Sequence, residues 1–420
     1  MLLLTAAQMR ALDRATIEGG HVPGAELMDR AGQGVALAAT RHFGSPVALR
    51  MLVLCGTGNN GGDGFVAARE LRAMGARVSV GVLGTRERVR GDACTHLERM
   101  EASGLHPDFV TTDTALINLT TGADRWDWAF DALLGTGAHG EPEGLVATAC
   151  EALRLLRAHG TRIVAVDLPT GVGADDGSAW VDAVHADLTV TFGCLKRGHA
   201  LHPGRDLCGE VELVDIGLVP AAEAGVCGAS LAVPAGLAHL LPDRDPRAHK
   251  GSAGRVLVVG GAPGMAGSVI LASRAASRMG AGYVRVAAPA RLQDVLAAQL
   301  VEQMPLACGT REETSLTPGS LERVLAEAEL ADAVALGPGL SREDGALRFA
   351  RELLAGSDRP MVLDADGLSA IVPPEYDPGA MLRDAPGPRI VTPHLGEMAR
   401  LTGIRPSDLE ATRIDAAAEW

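Results

Sequence analysis

The amino-acid sequence predicts an α/β protein, a parallel three-layer sandwich followed by a second α/β unit. Three observations carry that prediction. Continuous Val/Ile/Leu runs alternate with amphipathic stretches, which is how a sheet covered on both faces reads. Several runs end in glycine-rich polar turns, the first being Leu52–Cys55 into Gly56-Thr57-Gly58-Asn59-Asn60-Gly61-Gly62-Asp63-Gly64. The texture also shifts to Ala, Gly and Pro around 220–245, which divides the chain into a first domain over 1–219, a linker over 220–245 and a second domain over 246–420.

In order, Thr5 to Ile17 and Gly24 to Phe43 read as helices, with Thr5 as N-cap and Met9, Leu12 and Ile17 at helical spacing. Met51–Cys55 is a strand, and Val66–Leu71 opens a helix after the glycine turn. Arg77–Leu83 is the next strand. Trp126–Leu134 ends in an acid-plus-glycine turn, Asp131-Ala132-Leu133-Leu134-Gly135-Thr136-Gly137-Ala138-His139-Gly140-Glu141. Arg162–Val166 runs into Asp167-Leu168-Pro169-Thr170, and Leu188–Phe192 and Val211–Val214 complete the first sheet. In the second domain Arg255–Val259 feeds Gly260-Gly261-Ala262-Pro263-Gly264, followed by a helix from Ser268 to Met279 and a strand Tyr283–Ala288. Ala333–Leu336, Met361–Leu363 and Arg389–Val391 then lead into Gly337-Pro338-Gly339, Asp364-Ala365-Asp366 and Thr392-Pro393-His394.

A formal net charge of −14 argues against a nucleic-acid or anionic-membrane partner. Seven scattered cysteines show no metal-type spacing and, with no run of eighteen apolar residues, point to a cytoplasmic protein with reduced thiols. Lys196 and Lys250 are the only lysines, and each sits near Gly and His, where an ammonium suits a phosphate or stands by coincidence.

Asp63, Asp131 and Asp167 each close an apolar run, so they are expected to converge at the carboxyl ends of the strands. Asn59, Asn60 and Asp63 offer hard oxygens, which suit a monovalent or alkaline-earth cation or a sugar hydroxyl; zinc would want His or Cys. Asp167, before the rigid Pro169, is either a general acid/base or a structural cap. His394, with Glu397 three residues on, either contacts a ligand or caps a helix.

The motifs Gly58-Asn59-Asn60-Gly61-Gly62-Asp63-Gly64, Phe130-Asp131-Ala132-Leu133-Leu134-Gly135-Thr136-Gly137 and Val166-Asp167-Leu168-Pro169-Thr170-Gly171 resemble the NAD(P)H-hydrate epimerase family. His249-Lys250-Gly251, Gly337-Pro338-Gly339 and Thr392-Pro393-His394 resemble the ADP/ATP-dependent NAD(P)H-hydrate dehydratases. Together, in this order and over nearly the whole chain, they look like the bifunctional nicotinamide nucleotide repair family. The resemblance implies a Rossmann-like first domain and a ribokinase-like second one. It implies that Asn59, Asn60, Gly61, Gly62, Asp63, Gly135, Thr136, Gly137, Ala138, His139, Gly140, Glu141 and Asp167 hold hydrated NADH or NADPH, with Asp167 as the proton-transfer group. Asn60, Asp131 and Thr170 would hold a potassium ion, and Ser268, Gly339 and His394 would line the dehydratase pocket, which uses ADP or ATP with magnesium. A homo-oligomer is compatible with the family.

Dehydratases of this kind carry a G-x-G-D turn later in the domain. Met398–Trp420 contains none, so the second domain is expected to be incomplete at its C-terminus and impaired as a dehydratase. Two other readings remain open from the residues. Gly56-x-Gly58-x-x-Gly61 also fits a nicotinamide-dependent dehydrogenase, although Gly81–Arg86 lacks the acid that would bind a ribose. A non-catalytic nucleotide-binding or interaction module is the other.

Overall fold

The computed structural model describes all residues except 123–124, 138–139, 242, 244 and 373–375. The chain opens with β1 (Leu2–Leu4) and α1 (Ala6–Glu18); Thr5 and Gln8 form a reciprocal cap at the start of that helix. Then come α2 (Gly24–Phe43), β2 (Arg50–Cys55), α3 (Asn59–Ala73), β3 (Arg77–Leu83), α4 (Gly91–Ala102), β4 (Asp108–Val110) and α5 (Asp113–Thr121). The first unit continues through β5 (Trp128–Ala132), α6 (Leu145–Ala158), β6 (Arg162–Val166), β7 (Leu188–Phe192), β8 (Leu195–Lys196), α7 (Gly204–Leu207), β9 (Glu210–Val214), β10 (Ala229–Ser230) and α8 (Pro234–Leu237).

Its main sheet is wholly parallel in the order β4-β3-β2-β5-β6-β7-β9. The chain winds outward from β2 to β4, then restarts at β5 and winds the other way. The strand order therefore switches between β2 and β5, where open α/β sheets bind ligands beyond the carboxyl ends. Side chains of β2 alternate between two cores. Met51, Val53 and Cys55 pack with Val35, Phe65 and Leu97 on one face, and Leu52 and Leu54 with Leu116 and Leu153 on the other. That is the covered sheet expected from continuous apolar runs.

Four differences from the sequence reading stand out. The helix after β2 begins at Asn59, so Asn59–Asp63 form its first turns rather than a loop. Asp131 lies within β5, wholly buried, rather than in the following turn. The edge strand β4 was not expected; three residues give no periodicity to read. A small second sheet, β10-β1-β8, ties the N-terminus to residue 195 and to the expected linker, so residues 220–241 cluster with the first unit.

The second unit, Pro242–Trp420, contains β11 (Arg255–Val259), α9 (Ala266–Arg278), β12 (Tyr283–Pro289), α10 (Gln293–Gln299), β13 (Met304–Cys308), α11 (Leu321–Glu329) and β14 (Ala333–Leu336). After these come α12 (Asp344–Gly356), β15 (Met361–Leu363), α13 (Asp366–Ser369), α14 (Pro378–Arg383), β16 (Arg389–Val391), α15 (Leu395–Thr402), α16 (Pro406–Ala411) and α17 (Arg413–Glu419). The sheet is again all-parallel, β13-β12-β11-β14-β15-β16, with its switch between β11 and β14. The edge strand β13 escaped the sequence reading because Pro305 interrupts it, a residue that sheets accept at their edges. Among the described residues no helix is long and apolar enough to cross a membrane.

Candidate active site

A crevice of about 660 Å³ opens at the switch point of the first sheet, walled by α1, the start of α3 and the segments following β5 and β6. Gly58 is the N-cap of α3, so the N–H groups of Asn59, Asn60 and Gly61 belong to a first turn without intrahelical acceptors. Such an end favours anionic or oxygen-rich groups. Asn59, Asn60 and Asp63 line the crevice; Gly61 and Gly62 are buried behind it. A Cβ on Gly61 would land on the Gly56 carbonyl oxygen, and one on Gly64 would press on Cys55 Sγ at 2.7 Å. These glycines let the helix sit tight on its strand. Both the carbonyl oxygen and the amide nitrogen of the Asn60 side chain are buried without a hydrogen-bond partner among the described residues. A Cβ on Gly135 would lie 3.2 Å from both Asn60 Oδ1 and Asp167 Oδ2, so glycine leaves a gap between those two oxygens.

Asp167 follows β6 directly and has φ +69°, a left-handed conformation unusual for a non-glycine residue. Its N–H donates to Val190 O at 2.8 Å, and its own carbonyl accepts from His199 Nε2 at 2.8 Å. The His199 Nδ1 accepts the Lys196 N–H at 3.0 Å, which fixes the proton on Nε2. The carboxylate is held as firmly. Lys196 Nζ is 2.7 Å from Oδ1, Thr191 Oγ1 donates to Oδ1 at 3.0 Å, and Thr136 N–H donates to Oδ2 at 3.2 Å. Burial pushes this carboxyl upward, but the Lys196 ammonium outweighs it and leaves Asp167 below the usual carboxylate range. Asp167 is therefore an ionised, immobilised carboxylate.

Asp63 reaches the same crevice from α3. Burial first, then the neighbouring Asp167 charge, hold it well above the usual carboxylate range. Asp131 lies behind the wall rather than in it. Its Oδ2 accepts Thr170 N–H and its Oδ1 accepts Thr170 Oγ1, both at 2.7 Å, while Leu133 N–H donates to Oδ1 at 3.3 Å. Burial raises Asp131 to about 6 despite those bonds. Thr170 Oγ1 in turn accepts Leu134 N–H at 3.2 Å, which connects this pair to the crevice wall at Leu134 and Gly135.

Thr136 and Gly137 also line the crevice; Gly140 and Glu141 are exposed and off its wall, and Ala138 and His139 fall outside the described residues. Lys196 pairs with a carboxylate instead of waiting for a phosphate. Asp13 and Thr191 were missed, because nothing in their local sequence marks them, and His199 drew notice only as a neighbour of Lys196. Arg88 also lines the crevice, whereas Arg86 is paired with Glu101.

In the second unit the segments after β11 and β14 meet: Gly261 N–H donates to Pro338 O at 3.0 Å, and a Cβ on Gly339 would lie 3.2 Å from Ser268 Oγ. Ser268 is exposed there and Gly339 buried. Left-handed conformations at Ser341 and Ala365 mark the same strand ends, and Ser341 N–H donates to Asp366 Oδ2 at 3.1 Å. His394 is the N-cap of α15: its Nδ1 accepts Gly396 N–H at 3.1 Å, and Glu397 Oε2 accepts the His394 N–H at 2.9 Å. The capping geometry is present, and the His394 ring remains exposed beside it.

Fold and sites together define a two-part α/β protein with a ligand crevice at the switch point of its first sheet and a matching set of strand-end segments in its second. Residues 24–198 match the YjeF-related protein N-terminus family, and residues 256–420 match the NAD(P)H-hydrate dehydratase family. The whole chain is 38% identical to the bifunctional NAD(P)H-hydrate repair enzyme of Moorella thermoacetica, spanning 78% of that protein. It is 38% identical to the Salinibacter ruber counterpart over 96% of this chain and 75% of the other. Among solved structures, the ADP/ATP-dependent NAD(P)H-hydrate dehydratase from Bacillus subtilis, co-crystallized with ATP/Mg2+, is 29% identical over 43% of this chain and 58% of that one, with a TM-score of 0.34. The chain belongs to the bifunctional NAD(P)H-hydrate repair enzymes, with an epimerase unit at its N-terminus and a dehydratase unit at its C-terminus.

Proposed function

We propose that the first unit interconverts the R and S hydrates of NADH and NADPH in the switch-point crevice, with Asp167 exchanging the proton. The observation that carries this reading is the buried Asp167–Lys196 pair, which keeps a carboxylate ionised and fixed at a ligand-sized opening. The substrate bears a hydroxyl on C6 of the nicotinamide ring, beside the ring nitrogen. Inversion there proceeds by C–O cleavage and water re-addition, or by ring opening and closure. Either route needs a positioned base, and an ionised carboxylate serves. Asp63 would hydrogen-bond the bound dinucleotide, and the α3 N-terminus would receive its oxygens.

A potassium ion fits this donor set. The unpartnered Asn60 Oδ1 and the Asp131–Thr170 oxygens are hard ligands, and no cluster of three His, Cys, Asp or Glu among the described residues suggests a transition metal instead. When bound, potassium would supply positive charge beside the acidic wall; Asn60, Asp131 and Thr170 would hold it.

The second unit dehydrates the S hydrate with ADP or ATP and magnesium, in the segments around Ser268 and Gly339 that gather at its own switch point. The first unit then supplies the epimer that the second consumes. Two assays test the pair: conversion of purified R hydrate to S at a rate above spontaneous interconversion, and nucleotide-dependent recovery of reduced-nicotinamide absorbance from S hydrate. A protein that leaves the epimerisation rate at background refutes the first assignment, and one without nucleotide-dependent recovery refutes the second.

A further inference from the structure

The first helix belongs to the active site as much as the strand-end segments do. Met9, Asp13 and Ile17, four residues apart, put one face of α1 on the crevice that Asp63, Asp167 and Lys196 also line. The helix is tethered there. β1 runs parallel to β8, with Leu3 opposite Leu195 and Leu4 opposite Lys196, so the strand that carries the buried lysine also anchors the helix. Ala6 N–H donates to Asp175 Oδ1 at 2.6 Å, and Val219 N–H donates to Thr16 Oγ1 at 3.2 Å. On this fixed face Asp13 is half-buried, and among the described residues its carboxyl makes no hydrogen bond and no ion pair. Asp131 and Asp167, by contrast, each accept hydrogen bonds from the protein, and Asp167 keeps one oxygen with a single long bond, from Thr136 N–H at 3.2 Å. A carboxyl held at a ligand crevice with no protein partner is available to the ligand.

We propose that Asp13 is a second catalytic acid/base of the epimerase site, working on the C6 hydroxyl from the α1 wall while Asp167 works from the β6 end. This rests on the epimerase reading given above. Inversion by C–O cleavage requires chemistry on both faces of the ring, which two carboxyls on separate walls can supply. In one direction the Asp13 carboxylic acid protonates the C6 hydroxyl. The C6–O bond breaks with its electron pair leaving on water, and the ring cation is stabilised by the adjacent nitrogen. A water on the other face adds to C6 and gives its proton to the Asp167 carboxylate. One proton leaves Asp13 and one reaches Asp167, and exchange with solvent water restores both. The reverse direction runs with the roles exchanged.

The electrostatics agree with that division. Burial raises Asp13 to about 6; Lys196 on β8 opposes the rise and Asp167 adds to it. Asp63 on α3 also lines this end of the crevice, Cys194 beside Lys196 lies near enough to feel the Asp13 charge, and Arg10 on α1 itself, Arg88 after β3 and Asp92 on α4 bound the crevice. A carboxyl titrating at about 6 holds and releases a proton near neutrality, whereas Asp63 is shifted well up by burial and Asp167 is held down by Lys196.

The test uses the full-length protein and purified R hydrate. The parent must first accelerate formation of S above background; if it does not, the epimerase reading itself fails. With an active parent, Asp13→Asn is expected to lower kcat by about 100-fold or more while KM stays within about threefold. The parent rate should fall on the alkaline side of about pH 6, where the Asp13 acid form is lost, and the variant should lose that limb. Asp13→Glu should restore part of the rate. Parent-like kcat and pH profile in Asp13→Asn, or a defect confined to KM, would overturn the proposal. Should Asp13→Asn fail to fold, Asp13→Glu decides: a displaced alkaline limb supports the proposal, and an unchanged profile overturns it.

Discussion

Lys196 Nζ and Asp167 Oδ1 stand 2.7 Å apart with their side chains only 2% and 10% exposed, which makes them a buried ion pair at the edge of a ligand crevice. Thr191 binds both partners and His199 pins the main chain of one to the main chain of the other. The pair costs solvation, and removing one member leaves the other uncompensated.

Lys196→Met is therefore expected to destabilise the first unit by about 3–5 kcal/mol, read by chemical denaturation. The sign of the pH effect follows from the lowered Asp167 value. Its contribution is present above the unfolded carboxylate value of 3.8 and is lost as pH falls through the folded one. Combining Lys196→Met with Asp167→Asn removes both charges and should recover at least half the loss. No recovery would mean that packing, rather than charge, makes the lysine necessary.

Asp167→Asn should reduce the enzyme-accelerated part of R-to-S conversion by about 10²–10⁴-fold while hydrate binding changes little. The readout is the rate above the spontaneous background, with binding measured separately by calorimetry. A variant as fast as the parent removes Asp167 from the chemistry.

His199 carries a pH signature of its own. Burial, then the Lys196 charge, lower it from 6.5 to about 4, so it folds neutral. Between those values the unfolded chain binds a proton that the folded one does not, and stability falls as pH drops through that window. From pH 7 to pH 5 the parent should lose about 2 kcal/mol more than His199→Gln does, when first-unit unfolding is followed in urea at both pH values. Equal losses would show that His199 titrates freely in the folded protein.

Potassium dependence is expected to run through Asn60. Epimerisation by the parent should rise and saturate as potassium replaces sodium at constant ionic strength, and Asn60→Ala should lose that response. Retention of the full response would send the ion elsewhere.

Much of this site could be read before any coordinates. Asn59–Asp63, Gly135–Gly137 and Asp167 sit where apolar runs end, and the physics of parallel sheets brings such ends together. Asp131 was legible as an acid at a strand end, though not the fact that it lies inside the strand and is satisfied by Thr170. Asp13 was invisible for a different reason. Locally it is an ordinary polar position on an amphipathic helix, and it gains meaning only when β1 pairs with β8, about 190 residues further on. Three-residue and two-residue strands carry too little periodicity to announce such a pairing. Lys196 drew notice through rarity, yet its role depends on a carboxylate that local sequence does not place beside it.

That rarity has a practical side. Of the chain's two lysines, one is sealed in by its carboxylate neighbour and the other, Lys250, is exposed near the start of the second unit. Amine-reactive dyes or crosslinkers applied to the folded protein should therefore attach at Lys250 in preference to Lys196, sparing the crevice of the first unit. A fluorophore could thus be introduced without engineering, and delayed modification of Lys196 during unfolding would serve as a clock for the opening of the first unit.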